Sequence, residues 1–125
     1  MILRDIVPCP VLSEYVRKHQ IIRFVFGAEV IVPCKVYSPR PEHCLVFYLR
    51  ELQNIGYWDS PKLQIHPKCT INGQHTIVTN RYNGRDFFAL QIVLQPSALF
   101  RLTGIPSYEL TNTFIDAEAV WGKDI

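Results

Sequence analysis

Residues 71–95 read INGQHTIVTNRYNGRDFFALQIVLQ, and this stretch decides the fold class. It carries two Asn-Gly pairs, Asn72-Gly73 and Asn83-Gly84, on either side of His75 to Tyr82. Asn-Gly is the strongest short signal for a two-residue hairpin turn, because both central residues of that turn take positive φ. The segment from His75 to Tyr82 is therefore expected to pair with a strand on each side. The return strand, Phe87 to Gln95, alternates, with Phe88, Leu90, Ile92 and Leu94 on one face and Gln91 and Gln95 on the other.

Upstream, Gln20 to Phe26 places Ile22, Phe24 and Phe26 on one face and Ile21, Arg23 and Val25 on the other. Two largely apolar faces predict a strand in the middle of a wall. Val30-Ile31-Val32 reads as a brief strand cut by Pro33. Pro39 and Pro41 force a turn before a central strand, Cys44 to Arg50, with Leu45, Phe47 and Leu49 on one face. Glu51 to Ser60 reads as a loop, and Leu63 to His66 and Cys69 to Ile71 as short strands. Near the start, Leu12, Tyr15, Val16 and His19 recur at i, i+3, i+4 and i+7, which predicts a short amphipathic helix.

Downstream, Pro96 suits a first helical turn, and Ala98, Leu99 and Leu102 keep helical spacing until Gly104 stops it. Asp116 can cap a further helical start, Ala117 to Trp121. Many short strands with helices only at the two ends describe a mainly β single domain over residues 1–125, a small β-barrel or double-sheet sandwich.

The totals agree with a folded domain. At 125 residues, 48% hydrophobic and 19% charged, the chain can build a core and does not have a disordered composition. A formal charge of +2 does not advertise a nucleic-acid face. The four cysteines, Cys9, Cys34, Cys44 and Cys69, form no CxxC, and buried thiols in a reducing compartment are expected. MILRDIVPCP lacks the apolar core of a secretory signal, and the longest apolar run, Cys44 to Leu49, is too short to span a bilayer. The expectation is a cytoplasmic domain without membrane partners.

Chemistry is sparse. The histidines His19, His43, His66 and His75 include no His-x-His pair. His66 and His75 could meet across a hairpin with Glu42 or Asp86, but a metal site or other cofactor is not expected. No Gly-x-Ser-x-Gly occurs and no cysteine has an evident His partner, so an enzyme is not expected. Ala98 to Leu110 has a helix-turn-helix outline, yet Leu102 to Gly122 holds no Lys or Arg while Glu109, Asp116 and Glu118 are acidic. Packing, not DNA reading, is the expected role. What remains is a small-molecule pocket: Tyr37, Phe47, Trp58, Tyr82 and Phe88 could line it, with Arg81 or His75 as polar anchor. Residue by residue, core filling is the commoner fate of such aromatics.

Two blocks carry a resemblance. Pro96-Ser97-Ala98-Leu99-Phe100-Arg101-Leu102-Thr103-Gly104-Ile105-Pro106, followed by Glu109-Leu110-Thr111-Asn112, Ile115-Asp116 and Trp121-Gly122, resembles the end of the N-terminal domain of AraC-type bacterial transcription regulators. Tyr37 to Leu49 is similar to an early turn-and-strand segment of the same branch, whose N-terminal domain is cupin-like and poorly characterised. The resemblance implies a cupin-like regulatory domain that senses a small effector or mediates dimerisation, with DNA bound only through a helix-turn-helix region not present in this chain. It also suggests a homodimer face after the last strand, from Leu99, Phe100, Leu102, Val120 and Trp121. The competing expectation is a metal-dependent or stand-alone cupin-like enzyme or binding protein.

Overall fold

A computed structural model describes residues 1–57, 60 and 62–123. Its ten strands are β1 (Ile2–Ile6), β2 (Val16–Val25), β3 (Lys35–Tyr37), β4 (Cys44–Tyr48), β5 (Asn54–Tyr57), β6 (Leu63–Ile65), β7 (Cys69–Asn72), β8 (Thr79–Tyr82), β9 (Asp86–Leu94) and β10 (Phe114–Asp116). They form a six-stranded sheet in the order β1-β2-β9-β4-β7-β10 and a four-stranded sheet in the order β3-β8-β5-β6. Every strand pair is antiparallel. The expected mainly β, double-sheet architecture is therefore what forms. Both sheets are open at their edges, so the domain is a sandwich and not a closed barrel.

The longest ladder joins β2 to β9, with Ile22 opposite Ala89 and Phe24 opposite Phe87. Period-two alternation sorts the side chains. Phe24, Val46, Tyr48, Phe87, Ala89 and Val93 share one buried cluster on the face turned to the small sheet. The opposite face of the large sheet is covered over β4, β7 and the end of β9, while β1 is exposed along its length. Leu45, Phe47, Ile92 and Leu94 pack there beneath the C-terminal layer, which consists of α1 (Ala98–Thr103), a 3-10 turn (Ser107–Leu110) and α2 (Glu118–Trp121). This explains why β4 is apolar at every position and why β9 carries apolar residues on both faces, since a strand buried on both faces need not alternate strictly with polar residues.

Gly104 closes α1 in the left-handed region (φ 75°), as its position after the periodic residues predicts. Asp116 Oδ1 accepts from the Glu118 N–H at 2.9 Å, so the expected cap is present.

Several expectations fail for identifiable reasons. The N-terminal helix does not form. Residues 10–15 are turns, and Leu12 to Val16 make one helical hydrogen bond (Val16 N–H to Leu12 O, 2.8 Å) before the chain enters β2. From His19 to Arg23 each residue gains ladder partners in both β1 and β9, which outweighs a weak helical pattern. Val30 to Val32 is not a strand; β3 lies three residues later. The Glu51–Ser60 loop contains β5, and β1 lies in the N-terminal segment.

The two Asn-Gly pairs do not form hairpins. Each sits where the chain leaves one sheet for the other: β7 and β9 belong to the large sheet and β8 to the small one. Among the described residues, positive φ is found at Gly104, Gly122 and Asn112, not in these pairs. Cys44 and Cys69 are buried free thiols, as expected, whereas Cys9 and Cys34 are exposed.

Candidate functional site

The two sheets do not pack solid. A cavity of about 220 Å³ lies between them, walled by β4 and β9 of the large sheet and β3 and β8 of the small one. Inward positions of β4 and β9 supply an apolar wall, Val46, Phe87 and Ala89, together with the polar Gln91. The small sheet contributes Tyr37 and Arg81. Asn72, at the end of β7, and His75, just beyond it, complete the polar side.

Arg81 dominates the polar side. It is only 8% exposed. Its Nε–H donates to Thr79 Oγ1 at 3.1 Å and its Nη1–H to Gln53 Oε1 at 3.0 Å. The guanidinium lies over the Tyr37 ring, 5.0 Å from its centroid. Gln53 is oriented in turn by donating to Asn83 Oδ1 at 2.6 Å. Among the described residues no carboxylate pairs with Arg81. Glu42, the acid on the cavity wall, is held by Arg17, and Asp86 is held by Arg23. Burial draws the guanidinium below its usual range, with nearby tyrosines working against that. An arginine nonetheless stays protonated in a protein.

Two histidines sit close by in separate hydrogen-bonded pairs. His75 Nδ1–H donates to the Gly73 carbonyl at 2.8 Å, which leaves Nε2 to accept from the Tyr57 hydroxyl at 3.3 Å. The fully buried His66 shares a 2.6 Å hydrogen bond with the Tyr48 hydroxyl through Nδ1. Among the described residues, three buried side-chain polar atoms have no partner: His43 Nε2, His66 Nε2 and Asn72 Oδ1. Among the described residues no three His, Cys, Asp or Glu side chains gather as a metal site. Glu42 and Asp86, the acids considered as completing ligands, are engaged by arginines.

Burial, reinforced by the Arg81 cation and His75, pushes His66 down to about 3, and burial also lowers His43 and His75. For each, the folded-state value lies below the unfolded one near 6.5, so on acidification the unfolded chain takes the proton first. Stability present above about pH 6.5 is lost as the pH falls towards the folded-state value. Urea unfolding should show ΔG dropping by about 1.4 kcal/mol per pH unit from His66 alone on the acid side. The His66→Gln variant should have the shallower profile. Equal slopes for the two proteins would refute the assignment to His66.

Of the residues singled out in the sequence, Tyr37, His75 and Arg81 come together on the cavity wall. Phe47 and Phe88 do not line it. Phe47 packs under the C-terminal layer, and Phe88 meets the Arg23 guanidinium at 5.2 Å on the far face of β9. Tyr82 is exposed, and Trp58 lies outside the described residues. On the proposed dimer face, Leu99 is fully buried in the core while Phe100, Leu102 and Trp121 are exposed and Val120 is half-buried. Tyr48, Gln53, Asn72 and Gln91 were missed. Alternation from Phe87 through Ala89 to Gln91 was the available signal for Gln91. Nothing local marks Gln53 or Asn72.

No family model, no curated protein and no solved structure matches this chain.

Proposed function

We propose that this domain is the effector-sensing part of an AraC-type transcription regulator, with a cupin-like sandwich that binds a small molecule between its sheets. The observation that carries the reading is the cavity itself. An apolar wall faces a buried cation and an unpartnered amide oxygen, and one opening collects groups from both sheets. Such a combination of apolar surface and a few convergent polar groups suits ligand binding better than packing. In this reading Phe100, Leu102 and Trp121 contribute to contacts between copies, and DNA is contacted by a helix-turn-helix region that is not among these 125 residues.

Native mass spectrometry of the purified protein tests the binding part. The expected result is a small organic adduct that survives gentle desolvation. Ala89 is fully buried on the cavity wall, so Ala89→Leu fills the space and should weaken retention by about tenfold or more. An adduct held equally by both proteins would place binding elsewhere, and no adduct under any growth condition would count against sensing.

A further inference from the structure

Resting on the reading of the cavity as a small-molecule site, we propose that its ligand is a small organic acid. Its carboxylate would pair with Arg81, and a hydrogen-bond donor elsewhere on it would reach Asn72 Oδ1. Arg81 is buried without a counter-ion among the described residues, and its two protein hydrogen bonds go to neutral oxygens. Two of its five N–H groups are thereby used, and Nη2 has none of these bonds. Neutral partners orient a guanidinium but do not balance its charge, and a buried charge left unbalanced is costly.

The surroundings hold Arg81 in a particular pose. Its guanidinium carbon lies over the Tyr37 ring, while Thr79 and Gln53 fix two of its donors. The second Nη1 N–H and both Nη2 N–H groups carry neither of these bonds, and one from each nitrogen together can match a carboxylate through two parallel hydrogen bonds. Lys35 and Arg40 also lie on the wall, against the already paired Glu42, so the field in the cavity favours an anion.

A single buried guanidinium balances one negative charge, which suits a carboxylate better than a doubly charged phosphate. Asn72 Oδ1, buried and without a donor, asks for a hydroxyl or N–H on the same ligand. Val46, Phe87 and Ala89 suit a hydrocarbon or aromatic middle. The volume of about 220 Å³ falls below the roughly 300–1,000 Å³ of drug-sized sites, so the acid is small.

Thermal unfolding with simple probes at matched ionic strength decides the matter. Acetate is small enough to reach Arg81 whatever the shape of the natural ligand, and benzoate adds a ring for the apolar wall. Both should raise Tm relative to chloride, benzoate by about 3 °C or more. Acetamide and benzamide, of the same shape without the charge, should not. Arg81→Met should abolish the carboxylate effect while leaving the Tm of the probe-free protein unchanged or higher. Arg81→Lys, which keeps the charge and loses the planar fork, should weaken benzoate about tenfold and decides the question if Arg81→Met does not fold.

Equal stabilisation by amides and acids would overturn the acid while leaving small-molecule sensing intact. Inorganic phosphate acting as strongly as benzoate would assign the site to anions at large and overturn the organic-acid assignment. No shift with either carboxylate would overturn the proposal outright, and the native mass spectrum would then judge the sensing reading separately.

Discussion

Replacing Gly73 with alanine is expected to cost at least ~3 kcal/mol, the upper part of the range for overpacking a rigid site. A Cβ at this position would lie on the Leu110 carbonyl oxygen, 2.6 Å from its carbonyl carbon and 2.8 Å from the Leu110 Cβ. Neither partner can step aside. The Gly73 N–H donates to Thr113 O at 3.0 Å, and Asn112 N–H donates to Gln74 O at 2.8 Å. The Asn112 side chain joins the same strap, accepting from Thr76 N–H at 2.7 Å and donating to Thr76 Oγ1 at 2.9 Å. The clash is therefore between two backbone segments pinned together at four points. Urea unfolding measures the loss. Gly104→Ala is the comparison, because a Cβ there meets nothing within 4 Å and only the left-handed backbone is penalised, about 1 kcal/mol. If Gly73→Ala proved no worse than Gly104→Ala, the close approach to Leu110 would be wrong.

Leu99→Ala is the second large effect, about 3–4 kcal/mol, as for a buried leucine whose surroundings cannot collapse. Leu99 is 0% exposed, enclosed with Leu94, Ala98, Leu110 and Ala117 between α1 and the large sheet. Its neighbour Phe100 is 55% exposed, so Phe100→Ala should change stability by less than ~1 kcal/mol. The two residues thereby separate two roles that the sequence had joined. If the C-terminal layer mediates self-association, sedimentation should show Phe100→Ala weakening the dimer without loosening the fold. The reverse pattern, a tolerated Leu99→Ala with an unstable Phe100→Ala, would mean that α1 is turned the other way on the sheet.

How much of this was legible in the sequence depends on how local the signal was. Gly104 and Asp116 act within a turn of their own positions, and both perform the roles their spacing predicts. The alternation of β2, β4 and β9 is likewise local, and it identified the strands. It did not say which face was the interior, because these strands carry apolar residues on both faces.

The Asn-Gly pairs show the limit most clearly. A hairpin turn at Asn-Gly needs glycine for its backbone freedom. At Gly73 it is needed for the missing side chain, against Leu110, a residue far along the chain. The same holds for the site. Arg81, His75 and Tyr37 could be nominated as chemistry-bearing residues, and they do meet. Gln53 and Asn72 become part of the site only through the crossing of the two sheets, and a buried, unpartnered atom such as Asn72 Oδ1 is visible only in three dimensions.

The pairing of β2 with β9 has a consequence for how the domain comes to be folded. These central strands of the large sheet set Ile22 against Ala89, more than half the chain away. The intervening loop must close before the ladder contributes anything in return, and the strap from residues 73–76 to 110–113 can form only after the C-terminal layer arrives. Non-local pairing of this kind places a domain among the slow folders, in milliseconds to seconds. During synthesis the N-terminal half must wait, its Ile22, Phe24 and Phe26 without their cover, until β9 has been made.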